Sequence, residues 1–141
     1  MEPAERIEGY FAACSDGSEA DIAAHFTDDA VIFDSNIRPV RGSAAIGAMW
    51  VKVRRRWQGA RWTVDSFVGD GDGAAIEWSM TGTDPDGDRP FVFRGSEHYS
   101  FETAGEDELL IAEIRQYWTF DLDKLDTGLV DYPYSAGGEA D

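Results

Sequence analysis

A chain of 141 residues, 43% of them apolar and 13% aromatic, holds one domain's worth of sequence with enough apolar material for a core. Its net charge of −16 argues strongly against nucleic acid as a partner and against an anionic membrane surface, since both call for a basic footprint. The single cysteine, Cys14, excludes an internal disulfide and a cysteine-based zinc site.

Residues 3–15 read as a helix, with Pro3 in its first turn and Ile7, Tyr10, Phe11 and Cys14 on one apolar face. Ser18 caps a short second helix, with Asp21 completing a capping box and Ile22, Ala23 and Phe26 turned inward. Ala30 to Asp34 is a β-branched and aromatic run, hence a strand, broken at Ser35-Asn36 and resumed briefly from Ile37 to Val40. Gly42-Ser43 opens a third helix in which Ile46, Met49, Trp50, Val53 and Trp57 keep helical spacing. It ends near Gln58-Gly59, and its basic run Lys52 to Arg56 reads as a solvated end that complements the helix's own C-terminal dipole.

Beyond that point the period changes to two. Strands from Trp62 to Val68, Ala74 to Thr83, Phe91 to Thr103 and Leu109 to Asp121 are joined by short Gly/Asp/Pro links, which predicts an antiparallel meander. Helices first and meander second is an α+β order. The domain is expected over residues 1–125, with an acidic, partly disordered tail over residues 126–141.

The order of elements, with Tyr10-Phe11-Ala12-Ala13, Phe26-Thr27-Asp28-Asp29-Ala30-Val31 and Gly42-Ser43-Ala44-Ala45-Ile46, resembles the nuclear transport factor 2-like superfamily over residues 3–121. Ketosteroid isomerase, SnoaL-like polyketide cyclases, limonene epoxide hydrolase and scytalone dehydratase are members. The resemblance implies three N-terminal helices plugging a cone-shaped, curved antiparallel sheet around an apolar pocket, and it points to a homodimer. Tyr10 resembles the oxyanion-hole tyrosine of ketosteroid isomerase, Asp34 its catalytic base, and Glu97 the protonated aspartate that also donates to the oxyanion. Two positions depart from that pattern: Glu97 replaces an Asp, and Ser35 follows Asp34 where the family has Pro.

The residues support this chemistry on their own terms. Alternation puts Phe93, Gly95, Glu97, Tyr99 and Phe101 on one face of the third meander strand, where a desolvated carboxyl gains proton affinity. A neutral acid beside a phenol offers two donors to a developing enolate oxygen, while Asp34 stays free to accept a proton from carbon. Plainer readings stand alongside. Tyr10 fits a core tyrosine, Asp34 fits a turn residue bonding its own backbone, and a one-residue slip would put His98 in the pocket in place of Glu97. The bulkier facemates of Glu97 favour it as the inward residue. Trp50, Trp78, Phe93, Tyr99, Trp118 and His98 are the candidate pocket residues, and either face of the last strand, Gln116 and Trp118 or Arg115 and Tyr117, could carry a polar anchor.

Asp84, Asp86 and Asp88 have the spacing of a calcium loop, but Gly95 stands where its bidentate Glu belongs, so a hairpin turn is expected. No metal and no cofactor is expected. The start Met1-Glu2-Pro3-Ala4-Glu5 lacks a basic n-region, and no apolar run reaches membrane-spanning length, which suggests a cytoplasmic protein. Two classes of function follow. The first is a pocket for a small apolar carbonyl compound, extended to a cofactor-independent isomerase, cyclase or dehydratase. The second is a non-catalytic ligand-binding or dimerisation module.

Overall fold

A computed structural model describes residues 1–70 and 72–134. Helix α1 spans Pro3–Asp16, α2 Glu19–Ala23 and α3 Ser43–Arg56; strands β1 to β6 span Phe26–Asp34, Val40–Arg41, Gln58–Gly69, Gly73–Asp84, Arg89–Ala104 and Glu108–Trp118. Both early helices start where their caps dictate. Glu2 and Glu5 form a capping box with Pro3 in the first turn of α1, and Asp21 N–H donates to Ser18 Oγ at 3.1 Å while Ser18 N–H donates back to Asp21 at 2.9 Å.

The sheet runs β2-β1-β6-β5-β4-β3, curved and not closed, with the helices against its concave face. This is the α+β architecture expected. One pairing corrects the expectation of antiparallel neighbours throughout: β1 lies parallel to β6, with Ile32 opposite Ile114 and Asp34 opposite Gln116. Its cause is the route of the chain. After β1 the backbone passes through β2, α3 and the whole meander before it returns, and it arrives at the far side of β1 running the same way.

Four boundaries also move. The strand expected to resume from Ile37 to Val40 is instead β2 at Val40–Arg41, paired with Ile32 and Val31. Phe26 opens β1 instead of closing α2, because the His25 carbonyl accepts from Ile111 N–H at 2.9 Å and Phe26 pairs with Ile111. Strand β3 begins at Gln58, four residues before Trp62, with Gly59 at φ +62° beside a bulge in the pairing with β4. Strand β6 stops at Trp118, and residues 119–134 turn back along the edge of β5 that it leaves open. There Val92 N–H donates to Leu125 at 2.8 Å and Thr127 N–H to Val92 at 3.0 Å. Arg94 secures the segment through Asp126 Oδ1 at 2.6 Å, the Thr127 carbonyl at 2.8 Å and the ring of Tyr134. Of the expected tail, residues 135–141 lie outside the described residues.

The basic run at the end of α3 has a different role from the one its position suggests. The Arg54 guanidinium reaches across to the end of α1, donating to the carbonyls of Cys14 at 2.8 Å, Ala13 at 3.3 Å and Gly17 at 2.6 Å. It therefore satisfies the orphan carbonyls of the neighbouring helix. Arg56 stacks on Trp57 with its guanidinium 4.2 Å from the ring.

Inward residues of adjacent strands fall into rows. One row is Ile76, Glu97, Gln116 and Asp34, from β4, β5, β6 and β1. The next is Trp78, Gly95 and Trp118. A Cβ on Gly95 would lie 2.6 Å from Trp118 Cβ and 2.8 Å from Trp78 Cζ2, so the missing side chain is what lets the two indoles meet edge-on at 5.6 Å.

Candidate active site

Helix α1 lays Tyr10, Phe11 and Cys14 on the concave sheet, and α3 adds Trp50. With Trp62, Trp78, Glu97 and Gln116 from the strands they enclose a cavity of about 10 Å³, room for a single water-sized body. Tyr10 is held edge-on between Phe11 and Phe26, with ring centroids 5.6 and 5.0 Å away.

Glu97 faces inward and only 3% of its surface is exposed. Its Oε1 accepts from Tyr99 O–H at 2.5 Å. Burial pushes its carboxyl up to about 8; the Tyr99 hydrogen bond opposes this and the charge of Asp34 adds to it. At neutral pH Glu97 is thus predominantly an acid with a proton to donate. Burial also raises the Tyr10 phenol, with Cys14 and Glu97 reinforcing and the Trp50 indole opposing, and it raises the Tyr99 phenol beside Glu97. The Cys14 thiol moves up for the same reason and is kept from acting as a thiolate.

Asp34 ends β1, half-buried. Its two oxygens have different sets of partners. Oδ1 accepts from Asn36 N–H at 2.7 Å and Asn36 Nδ2 at 3.3 Å, a turn bonding its own backbone. Oδ2 accepts from Gln116 Nε2 at 2.7 Å and Trp118 Nε1 at 3.0 Å, on the concave side. The carboxylate therefore points neither into bulk water nor onto the cavity wall. Gln116 stands between it and Glu97 in the cross-strand row.

Of the residues singled out from the sequence, Tyr10, Glu97, Trp50 and Trp78 share the cavity wall. Tyr99 packs behind it, supporting Glu97. Phe93 and Trp118 belong to an adjoining aromatic cluster with Phe91, Trp57 and Phe120. His98 lies elsewhere: strand alternation exposes it on the outer face, edge-on to Tyr117 at 5.8 Å. Phe11, Cys14 and Trp62 complete the wall without having been singled out for it, together with Gln116, one of the two alternative polar anchors of the last strand. Gln116 carried a signal, as the polar residue in the otherwise apolar alternation Ile114, Gln116, Trp118, but the choice of face waited on the sheet.

Among the described residues four buried side-chain polar atoms lack a partner, and three of them, Trp50 Nε1, Trp78 Nε1 and Gln116 Oε1, belong to this one wall. Unpaired buried groups are costly, so their concentration marks a place built for polar contact. No three His, Cys, Asp or Glu side chains are grouped to hold a metal ion among the described residues.

A helix-plugged, curved sheet around a polar-tipped apolar interior defines the nuclear transport factor 2-like class. Within it the chain belongs to the SnoaL-like domain family, whose model matches residues 7–118. It is similar to a hypothetical protein of ketosteroid isomerase-like fold from Catenulispora acidiphila DSM 44928, solved in complex with trimethylamine: TM-score 0.71, 19% identity, 89% of this chain and 91% of that one covered. A protein of unknown function with a cystatin-like fold from Methylobium petroleophilum PM1 superposes with TM-score 0.69 and 28% identity over 96% and 88% of the two chains. The epoxide hydrolase/cyclase-like enzyme SalBIII, of pyran ring formation in polyether salinomycin, does so with TM-score 0.67 and 18% identity over 82% and 89%. Among curated proteins none matches the chain. No helix of the described residues is long and apolar enough to cross a membrane.

Proposed function

We propose that this chain binds a small apolar carbonyl compound and moves a proton at the carbon beside the carbonyl, as an isomerase, cyclase or dehydratase that needs no cofactor. The observation that carries the reading is the pair of carboxyl groups in one cross-strand row with opposite settings. Glu97 is desolvated and protonated, and Asp34 is supplied with hydrogen-bond donors. In this reading the ligand oxygen accepts from Glu97 and from Tyr10, with the unpaired indole N–H groups of Trp50 and Trp78 as further donors. Asp34 takes the proton from carbon, the C–H electrons pass to the carbonyl oxygen as an enolate, and the enolate collapses as the proton is returned or a neighbouring bond closes or breaks.

The cavity must widen for this, since about 10 Å³ admits no organic ligand and Asp34 sits one residue behind the wall. A test is the loss of the α-proton NMR signal of enolisable ketones in D₂O. Asp34→Asn is expected to abolish exchange while the protein still binds a naphthol, a mimic of the enolate. Tyr10→Phe is expected to slow exchange by about 10²–10³-fold as one oxyanion donor is lost. Exchange at the unaltered rate in Asp34→Asn would remove the catalytic assignment.

The aromatic lining favours a second reading, a binding module without turnover, for which the cavity must also widen. Tyr10, Trp50, Trp62 and Trp78 surround one carboxyl, a setting that also suits a small ammonium ion through ring faces. Binding of trimethylamine with no exchange of any ketone would select it.

A further inference from the structure

Gln116 is the residue the row of carboxyls leaves unexplained. It is buried, on the cavity wall, and it is the cross-strand neighbour of Glu97 on one side and of Asp34 on the other. Its Nε2 donates to Asp34 at 2.7 Å, which orients the amide, and its Oε1 is left buried with no partner. Glu97 presents the complementary deficit. One of its oxygens is engaged by Tyr99, and a neutral carboxyl must place its proton on an acceptor; besides the Tyr10 hydroxyl and the weakly accepting Cys14 sulfur, the wall offers indole N–H groups, apolar surface and the free Gln116 Oε1. Adjacent inward residues of paired strands lie within reach of each other's side chains.

We propose that Gln116 is a positioning residue that links the two carboxyls in the ligand-free protein: Glu97 donates its proton to Gln116 Oε1 until a ligand oxygen takes that place, and the amide so oriented donates to Asp34. An amide has one acceptor end and one donor end, so it serves an acid on one side and a carboxylate on the other. It cannot serve two carboxylates equally, because the oxygen would then face a negative charge. Gln116 thereby assigns the acid to β5 and the base to β1. This rests on the reading of the site as an acid–base pair, but its test needs no turnover. The other groups facing Glu97 are Tyr10 and Cys14 from α1, Tyr99 from its own strand and the Asp34 charge from β1; Ile76 and Trp78 of β4 and Trp50 of α3 bring no titrating group.

The experiment is a ¹³C NMR pH titration of the glutamate and aspartate carboxyls in the full chain, comparing the unaltered protein with Gln116→Leu and, as an unbranched alternative if leucine does not fold, Gln116→Met. Loss of the acceptor is expected to lower the Glu97 midpoint by about one pH unit or more. Gln116→Glu, which can still accept at one oxygen, is expected to retain a high midpoint at Glu97. A Glu97 midpoint unmoved or raised in the apolar variants would overturn the linkage, even if their stability drops, since a purely structural glutamine would give that result. A lowered Glu97 midpoint in apolar variants of a protein that exchanges no ketone would keep the linkage and retire the catalytic reading.

Discussion

Glu97 keeps its proton because β5 points it beneath α1, where no cation is within hydrogen-bonding reach. In the unfolded chain the group titrates at its ordinary value of 4.5, and in the folded chain near 8. Between those values the folded state holds the extra proton, so raising the pH pulls the equilibrium toward unfolding. The stability that the neutral group contributes is complete below about 4.5 and is lost as pH rises to about 8. Thermal unfolding followed from pH 5 to 9 is expected to show a melting temperature that declines across this window, and Glu97→Gln, which cannot ionise, is expected to flatten the decline. An equally steep decline in that variant would show that Glu97 is not its source. Asp34 and Gln116 are read at the same scale. Asp34 is held half by its neighbour Asn36 and half by Gln116 and Trp118 from the far end of the chain, and the Gln116 amide N–H is held by Asp34 in turn.

The elements are joined by side chains that serve a neighbour's backbone. Arg54 of α3 closes the last turn of α1, and Ser15 Oγ at that same end accepts from Trp62 N–H at 3.1 Å. Arg6 of α1 is buried and donates to the Leu109 carbonyl at 2.6 Å, which ties the helix to β6. These contacts set the height of Tyr10 and Cys14 over Glu97. Arg54→Ala is expected to cost about 2 kcal/mol, since it leaves several carbonyls without a charged donor. Exposed Arg55→Ala is expected to stay within about 0.5 kcal/mol of the unaltered protein. Urea midpoints at constant slope distinguish the two, and equal values would mean that water replaces the Arg54 bonds at no cost.

At the scale of the whole molecule, the sheet has its concave face under the helices and leaves an outer face that carries Tyr117, Phe33 and Val68 among its exposed residues, with His98 beside Tyr117. Apolar and aromatic groups on a strongly acidic domain suit contact with a second copy, because a self-complementary patch must be poor in charge to overcome mutual repulsion. A homodimer through this face is expected. Light scattering at micromolar concentration should return twice the 15.6 kDa of the chain, and Tyr117→Glu should return the single mass with the fold intact. A single mass for the unaltered protein would exclude that assembly at this concentration.

Much of this was legible along the chain. Period-3.6 and period-2 patterning placed the helices and the meander, Pro3 placed the start of α1 and a capping box that of α2, and the bulk of Phe93 and Tyr99 selected Glu97 over His98 for the interior. These are local properties, carried by residues a few positions apart, and propensity and alternation report them directly. What the chain alone left open involves partners far apart. The parallel return of β6 beside β1, the inward turn of Gln116, the engagement of Arg54 with α1 and the closing of the cavity to about 10 Å³ each depend on which distant segments meet. Sequence determined that a carboxyl would be buried in an aromatic interior. Only the tertiary structure decided that an amide would stand between it and the second carboxyl, because pairing across three strands is fixed by packing and hydrogen-bond register, not by any short-range pattern.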